Sequence, residues 1–290
     1  MSGGAGGSST PVPRTVDLHM HSTASDGARA PEDVAAAARA AGLSAIALTD
    51  HDTVAGVDAA RSAGERLDLR VITGVELSAD DDGREIHILG LHLERLDLIE
   101  VAMREFRATR LDRARRMVGQ LNALGVPVTL ESVLAQSAGG AVGRPHVARA
   151  VVAGGWALDP REVFDRWLGN GKPANVPKQR LDVGDAIRLV HDAGGLAIVA
   201  HPGVDCNRTR IERLVALGLD GLEVRHPSHS ADEIRRLGAL VEHFHLVPSG
   251  GSDWHGAPEG PRTVGCMQVP YEVLQRQEDR LAGRATARSA

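Results

Sequence analysis

His19 and His21 stand two residues apart in Val16 to His21, a short run that alternates apolar and polar residues. In an extended strand, residues i and i+2 project to the same side, so both imidazoles can share one cation. Asp253-Trp254-His255 repeats the spacing after a Gly-Gly-Ser turn, and Asp26 follows the first pair in the turn Ser25-Asp26-Gly27. His51 sits in Thr49-Asp50-His51-Asp52, directly after the apolar run Ser44 to Thr49. Glu76 lies within the apolar run Val71 to Leu77, where a lone carboxylate is costly unless paired or metal-bound. His87 is flanked by large aliphatics in Glu85-Ile86-His87-Ile88-Leu89, and His201 closes the run Leu196 to Ala200 just before Pro202.

Each signal has a plainer reading when taken alone. Two histidines in a strand are often surface or core residues. Asp52 or Thr53 would serve as a helix cap. Glu76 could face solvent on an edge strand, and His87 could be a hydrogen-bonded core histidine. His92 competes with His87, although the odd spacing puts it on the other strand face. His191, His243 and His245 lie on or beside helices without partners and read as structural. Together, however, six histidines and three carboxylates (His19, His21, Asp26, His51, Glu76, His87, His201, Asp253, His255) can be divided among two or three ions. Imidazole with carboxylate suits Mn²⁺, Zn²⁺ or Fe²⁺, and no thiolate narrows the choice. Such a cluster can lower the pKa of a bridging water and clamp phosphate oxygens for in-line displacement. Phosphoester hydrolysis is the best match.

The elements that must position these residues follow a βα rhythm. Pro31-Glu32-Asp33 opens an Ala-rich helix, with proline and acids in its first turn. A strand over Ser44–Thr49, a helix over Thr53–Arg66 and a strand over Leu69–Leu77 follow. Asp81-Asp82-Gly83 predicts a turn into a second strand, Arg84–Leu93. From Leu96 to about Arg180 the pattern is helical, with a long Arg-dense helix over Leu98–Leu124 and shorter ones around Leu130–Ser137, Pro145–Ala153 and Pro160–Leu168. The rhythm then resumes with a helix at Val183–Ala193, strands at Leu196–Ala200, Gly221–Arg225 and Leu246–Ser249, and helices between them. The expected organisation is a flexible tail over 1–13, a barrel from 14–95 and 181–276, a helical insertion over 96–180, and a C-terminal tail over 277–290 that reads as a frayed helix and tail. Alternating strands and helices argue for a parallel sheet. In a (βα) barrel the carboxyl ends of the strands share one face, where His51, Glu76, His201, His226 and Asp253 would converge.

Composition limits the alternatives. The 290 residues are 42% hydrophobic but only 2% aromatic, so the core must be built of Ala, Val, Leu and Ile. A net charge of −5 argues against a general coater of duplex nucleic acid, which needs a basic surface. Cys206 and Cys266 form no framework and read as reduced thiols in a cytoplasmic protein. No apolar stretch reaches the roughly 18 residues of a membrane span, and the Gly/Ser-rich start does not read as a secretory signal.

The segments DLHMHSTASDG, ALTDHDTVAG, GVELSAD, EIHILGLHL, AHPG, GLEVRHPSH and GGSDWHG, in this order from Asp17 to Gly256, resemble the PHP (polymerase and histidinol phosphatase) superfamily. The resemblance implies an α/β fold, a distorted TIM-like (βα)₇ barrel holding up to three metals. It places His19, His21, Glu76 and Asp253 on one ion, with Glu76 bridging to a second held by His87 and His255. Asp26, His51 and His201 fall to a third. The chain is most similar to the branch that dephosphorylates nucleoside 3′,5′-bisphosphates and trims short 5′-phosphorylated RNA. The helical insertion with GRPHVARA, the loop KPANVPKQRL and EVRHPSHS carry that likeness. It implies that Arg144, His146, Lys178, His226 and His229 contact substrate phosphates, with a metal-held hydroxide as nucleophile beside Asp253 and His255. Alternative substrates are histidinol phosphate, a cyclic ribose phosphate or another phosphodiester. A non-catalytic metal- or nucleotide-binding module would be expected to have lost ligands, and none is lost here. An amidohydrolase would call for a lysine at a strand end, and none stands there.

Overall fold

A computed structural model describes residues 14–137, 142–177 and 181–289; the segment 1–13 and Lys178 lie outside them. Strands β1 (Thr15–Met20), β2 (Ala45–Leu48) and β3 (Arg70–Asp81) pair in parallel, and α1 (Pro31–Ala40) and α2 (Val57–Leu67) make the crossovers. β3 then turns into the antiparallel β4 (Arg84–Leu91) through Asp82 and Gly83, whose φ values of 53° and 79° suit a tight hairpin. β4 pairs antiparallel with β6 (Leu196–Val199), and β7 (Gly221–Arg225) and β8 (Val247–Gly250) continue in parallel. Two short strands flank this path: β5 (Leu181–Asp182) beside β3, and β9 (Val269–Pro270) beside β1.

The sheet nearly closes on itself. Beyond β8, the Asp253 amide donates to the His19 carbonyl at 2.9 Å, and the His21 amide to the Trp254 carbonyl at 2.9 Å. Gly251 allows this approach, because a Cβ there would stand 2.4 Å from His19 Cβ. The expected barrel is thus found, with β4 running against its neighbours.

One strand is longer than expected. β3 runs to Asp81, so Glu76 lies in mid-strand and the hairpin stands out beyond the rim. The extension carries Ser78, Ala79 and Asp80, residues the apolar pattern did not mark as strand.

Between β4 and β5 run α3 (Leu96–Ala123), α4 (Leu130–Ser137), α5 (Arg144–Ala153) and α6 (Pro160–Val163), the last passing into a π-helical turn (Phe164–Leu168). Met117, Leu121, Val133, Val147, Val151 and Trp167 form an apolar cluster of their own. Ile99 and Met103, in the first turns of α3, belong instead to the cluster beneath β3 and β4. The remaining helices are α7 (Val183–Asp192), α8 (Arg208–Ala216), α9 (Ala231–His243) and α10 (Tyr271–Ser289).

The stretch after about Gln277, expected as a frayed helix and tail, continues α10 to Ser289. Leu274 and Gln277 are fully buried. Gln277 Oε1 accepts a hydrogen bond from His92 Nε2 at 3.0 Å, its Nε2 donates to the Pro248 carbonyl at 2.9 Å, and Arg284 pairs with the buried Asp220. Its anchors are largely polar, so no apolar stripe announced the helix. Among the described residues, no helix is long and apolar enough to cross a membrane.

Candidate metal centre

All nine donors meet around Glu76. His19 Nε2 and His21 Nε2 are 3.1 Å apart, each 3.3 Å from Glu76 Oε2, and His21 Nε2 lies 3.1 Å from Asp253 Oδ1. This group is buried. On the other Glu76 oxygen, Oε1, His87 Nδ1 stands at 2.8 Å and His201 Nε2 at 3.0 Å. A third group surrounds Asp26, with His255 Nε2 at 3.3 Å and His51 Nε2 at 3.9 Å. His51 reaches back, its Nδ1 lying 3.2 Å from Glu76 Oε2.

Two placements differ from the allocation that the resemblance implied. His255 stands with Asp26 and His51, and its ring stacks on His21 at 4.1 Å. His201 stands with Glu76 and His87. The two histidines exchange groups because Asp253-Trp254-His255 is stitched to β1 beside the Asp26 turn, whereas β6 lies next to β4.

The residues fit divalent cations. Atoms that share one ion at about 2.1 Å stand about 3.0–3.4 Å apart, which is the spacing found around Glu76 Oε2. His21 Nδ1 and His51 Nδ1 are buried without a hydrogen-bond partner. Burial works against a charged His21, but its bonds to Asp253 and Glu76 outweigh that and raise its pKa to about 10. Burial would raise the Glu76 carboxyl, yet His51, His87 and His19 hold it well below the usual range. The pocket is therefore built to hold anionic carboxylates against positive charge.

A surrounding layer aims these ligands. Glu223, fully buried on β7, accepts from His19 Nδ1 at 3.0 Å and from the His201 amide at 2.6 Å. With its proton on Nδ1, His19 turns a lone pair on Nε2 toward the cluster. Asp50 accepts from the Ser22 amide at 2.7 Å and from the Ser22 and Ser25 hydroxyls at 2.6 Å, which braces the turn carrying Asp26. His201 (φ 30°) and Asp253 (φ 51°) occupy left-handed backbone, a conformation that costs a non-glycine residue about 1–2 kcal/mol.

Beside the cluster lies a cavity of about 160 Å³, lined by Asp26, His51, His87, Arg110, Arg113, Arg144 and His146 among others. Arg144 donates to Asn170 Oδ1 at 3.0 Å. His146 accepts the Gly143 amide on Nδ1 at 2.9 Å, and burial with nearby Arg149 lowers its pKa to about 4, leaving it neutral. A second cavity, about 360 Å³, meets the first at Glu85 and His87. His226 is buried, with Nε2 3.3 Å from Asp253 Oδ2, and so stands at the cluster.

His229 does not reach the site as a free donor. Its Nδ1 donates to the Val224 carbonyl at 3.0 Å and its Nε2 accepts the Gly203 amide at 3.2 Å, so both nitrogens tie loops together. Glu223, Arg110, Arg113 and Arg262 were not singled out by sequence. The three-residue spacing of Arg110 and Arg113 on one helix was the available signal for those two.

A PHP domain model matches residues 17–136. The chain is 38% identical to a 3′,5′-nucleoside bisphosphate phosphatase of Chromobacterium violaceum, over 86% of this chain and 90% of that one. It is 37% identical to a 5′-3′ exoribonuclease of Haemophilus influenzae, over 82% and 89% of the two chains. The fold superposes on the crystal structure of an inferred metal-dependent phosphoesterase from Bifidobacterium adolescentis with a TM-score of 0.85 at 31% identity, covering 93% of this chain and 98% of that one.

Proposed function

The chain belongs to the PHP family of metal-dependent phosphoesterases, and from that premise we propose that it removes the 3′-phosphate of nucleoside 3′,5′-bisphosphates and shortens small 5′-phosphorylated RNAs. The gathering of nine imidazole and carboxylate donors into three adjoining groups, with five imidazoles on the two oxygens of Glu76, beside an arginine-lined cavity, carries this reading. Two or three divalent ions, Mn²⁺ first and Zn²⁺ or Fe²⁺ as alternatives, would activate water and neutralise phosphoryl charge when bound.

The protein's own part is positioning. In the overall reaction a water oxygen bonds to phosphorus, the ester P–O bond breaks, and the leaving oxygen takes a proton to become the ribose hydroxyl. Arg110, Arg113 and Arg144 surround the adjoining cavity and suit the substrate's second, unreacted phosphate. Neutral His146 adds an uncharged contact on the same wall. This separation of a reacting and an anchoring phosphate favours a bisphosphate or an RNA 5′ end over a substrate with one phosphate.

The test measures turnover in Mn²⁺: phosphate released from 3′-phosphoadenosine 5′-phosphate, mononucleotide released from short 5′-phosphorylated RNA, and, for comparison, phosphate from histidinol phosphate and ring opening of a cyclic ribose phosphate. Turnover of the first two is expected, and it should vanish in Asp253→Asn while the circular dichroism spectrum is retained. Turnover of neither nucleotide nor RNA rejects the substrate class.

A further inference from the structure

We propose that Arg262 transfers from Asp253 to a non-bridging oxygen of the reacting phosphoryl group and is a catalytic residue of the site; this rests on the phosphoesterase reading above. The starting point is the divided use of Asp253. Its Oδ1 faces the ligand cluster, 3.1 Å from His21 Nε2 and 3.5 Å from His19 Nε2. Its Oδ2 faces away and meets two donors, His226 Nε2 at 3.3 Å and Arg262 Nη1 at 2.5 Å.

One of these donors is sufficient to hold the carboxylate. The Ser228 amide donates to His226 Nδ1 at 3.1 Å, so that nitrogen carries the lone pair. With Nδ1 accepting, Nε2 is the nitrogen that donates, and it faces Asp253 Oδ2. His226 is buried, so Asp253 Oδ2 keeps a donor if Arg262 leaves.

Arg262 differs from the arginines of the cavity. Arg110 and Arg113 are 8% and 9% exposed; the first pairs with Asp52 and the second donates to the Val176 carbonyl. The Arg262 side chain is 46% exposed, and Asp253 is its one ion-pair partner among the described residues. It lines neither cavity beside the cluster. It therefore approaches from the Asp253 side, toward the centre of reaction and away from the anchoring phosphate.

The segment carrying it is pinned at both ends. Trp254 Nε1 donates to the Ala257 carbonyl at 2.7 Å, and the Gly265 amide donates to Asp17 Oδ2 at 2.9 Å. Between these pins Gly260 has φ 119°, backbone open to glycine but strained for other residues. The transfer asks only the middle of this segment to move, since the two pins hold Asp253's neighbour Trp254 and Gly265 in place.

Charge sets the direction of transfer. With a cation held by Oδ1 and its neighbours, the carboxylate would have less charge to offer Arg262. A phosphoryl group carries more negative charge, and its oxygens match the planar guanidinium in pairs. Arg262 makes and breaks no covalent bond and gives up no proton; it neutralises charge that grows on the phosphoryl oxygens as the ester bond opens.

The test compares wild type, Arg262→Ala and Arg262→Lys, each loaded with Mn²⁺. Metal content and inorganic-phosphate binding by calorimetry are measured alongside turnover of 3′-phosphoadenosine 5′-phosphate. Arg262→Ala is expected to keep its metal, to lose about 100-fold in kcat with little change in KM, and to bind inorganic phosphate more weakly. Arg262→Lys should recover part of each loss. Wild-type kcat and phosphate affinity in Arg262→Ala would overturn the assignment, as would losses that follow loss of metal, which would make Arg262 a strut for Asp253. If wild type cleaves no ester at all, the functional reading fails by itself, and phosphate binding still decides whether Arg262 meets the anion.

Discussion

Glu76 shows how much one side chain can organise. Its two oxygens contact five of the six donor imidazoles. The paired spacing of His19/His21 and Asp253/His255 was legible in the sequence because strand geometry turns alternate residues the same way. Glu223 was not, because its partner His19 is 204 residues away and nothing local distinguishes Glu223 from any strand glutamate. The grouping of His201 and His255 was hidden for the same reason, since it depends on which strands are neighbours. Glu223→Gln keeps the size but removes the charge that holds the His19 proton on Nδ1. Mn²⁺ affinity, measured by calorimetry, should fall about 10- to 100-fold with secondary structure unchanged.

At the scale of elements, the β3–β4 hairpin bears Glu76 and His87 and extends past the rim, so its tip needs support. Asp81 provides it: Arg210 Nε donates to Oδ2 at 2.5 Å, and Arg213 also pairs with the carboxylate, tying the tip to α8. Burial alone would raise the Asp81 pKa, but these two arginines lower it. A carboxyl depressed in the folded state stabilises above its unfolded pKa of about 3.9. That contribution is lost as pH falls through the lower folded value. Asp81→Asn should cost about 1–3 kcal/mol in urea unfolding at neutral pH, and the gap from wild type should shrink below about pH 4. Most helices and strands were readable from apolar periodicity and turn residues. The hairpin extension and α10 were not, because ion pairs and polar anchors such as Gln277 and Arg284 define them.

For the whole molecule, the centre is a crosslink between elements from across the chain. β1, β3 and β4, and the segments that follow β1, β2, β6 and β8, supply the donors. Mn²⁺ at 100 times its dissociation constant should add about 2.7 kcal/mol of stability per independent site. The thermal midpoint should therefore rise with added Mn²⁺ and fall with a chelator, and His19→Ala should flatten the response. The second apolar cluster shares α3 with the first, so that helix passes from one packed region to the other without a break.

The seam between Asp253 and His19 has a consequence for biosynthesis. During translation the opening strand leaves the ribosome long before the stretch that completes it is made, and until then the catalytic pocket lacks one wall. A growing polypeptide therefore cannot bind its full set of cations or turn over nucleotides, and competence begins only when the late segment docks against the early one.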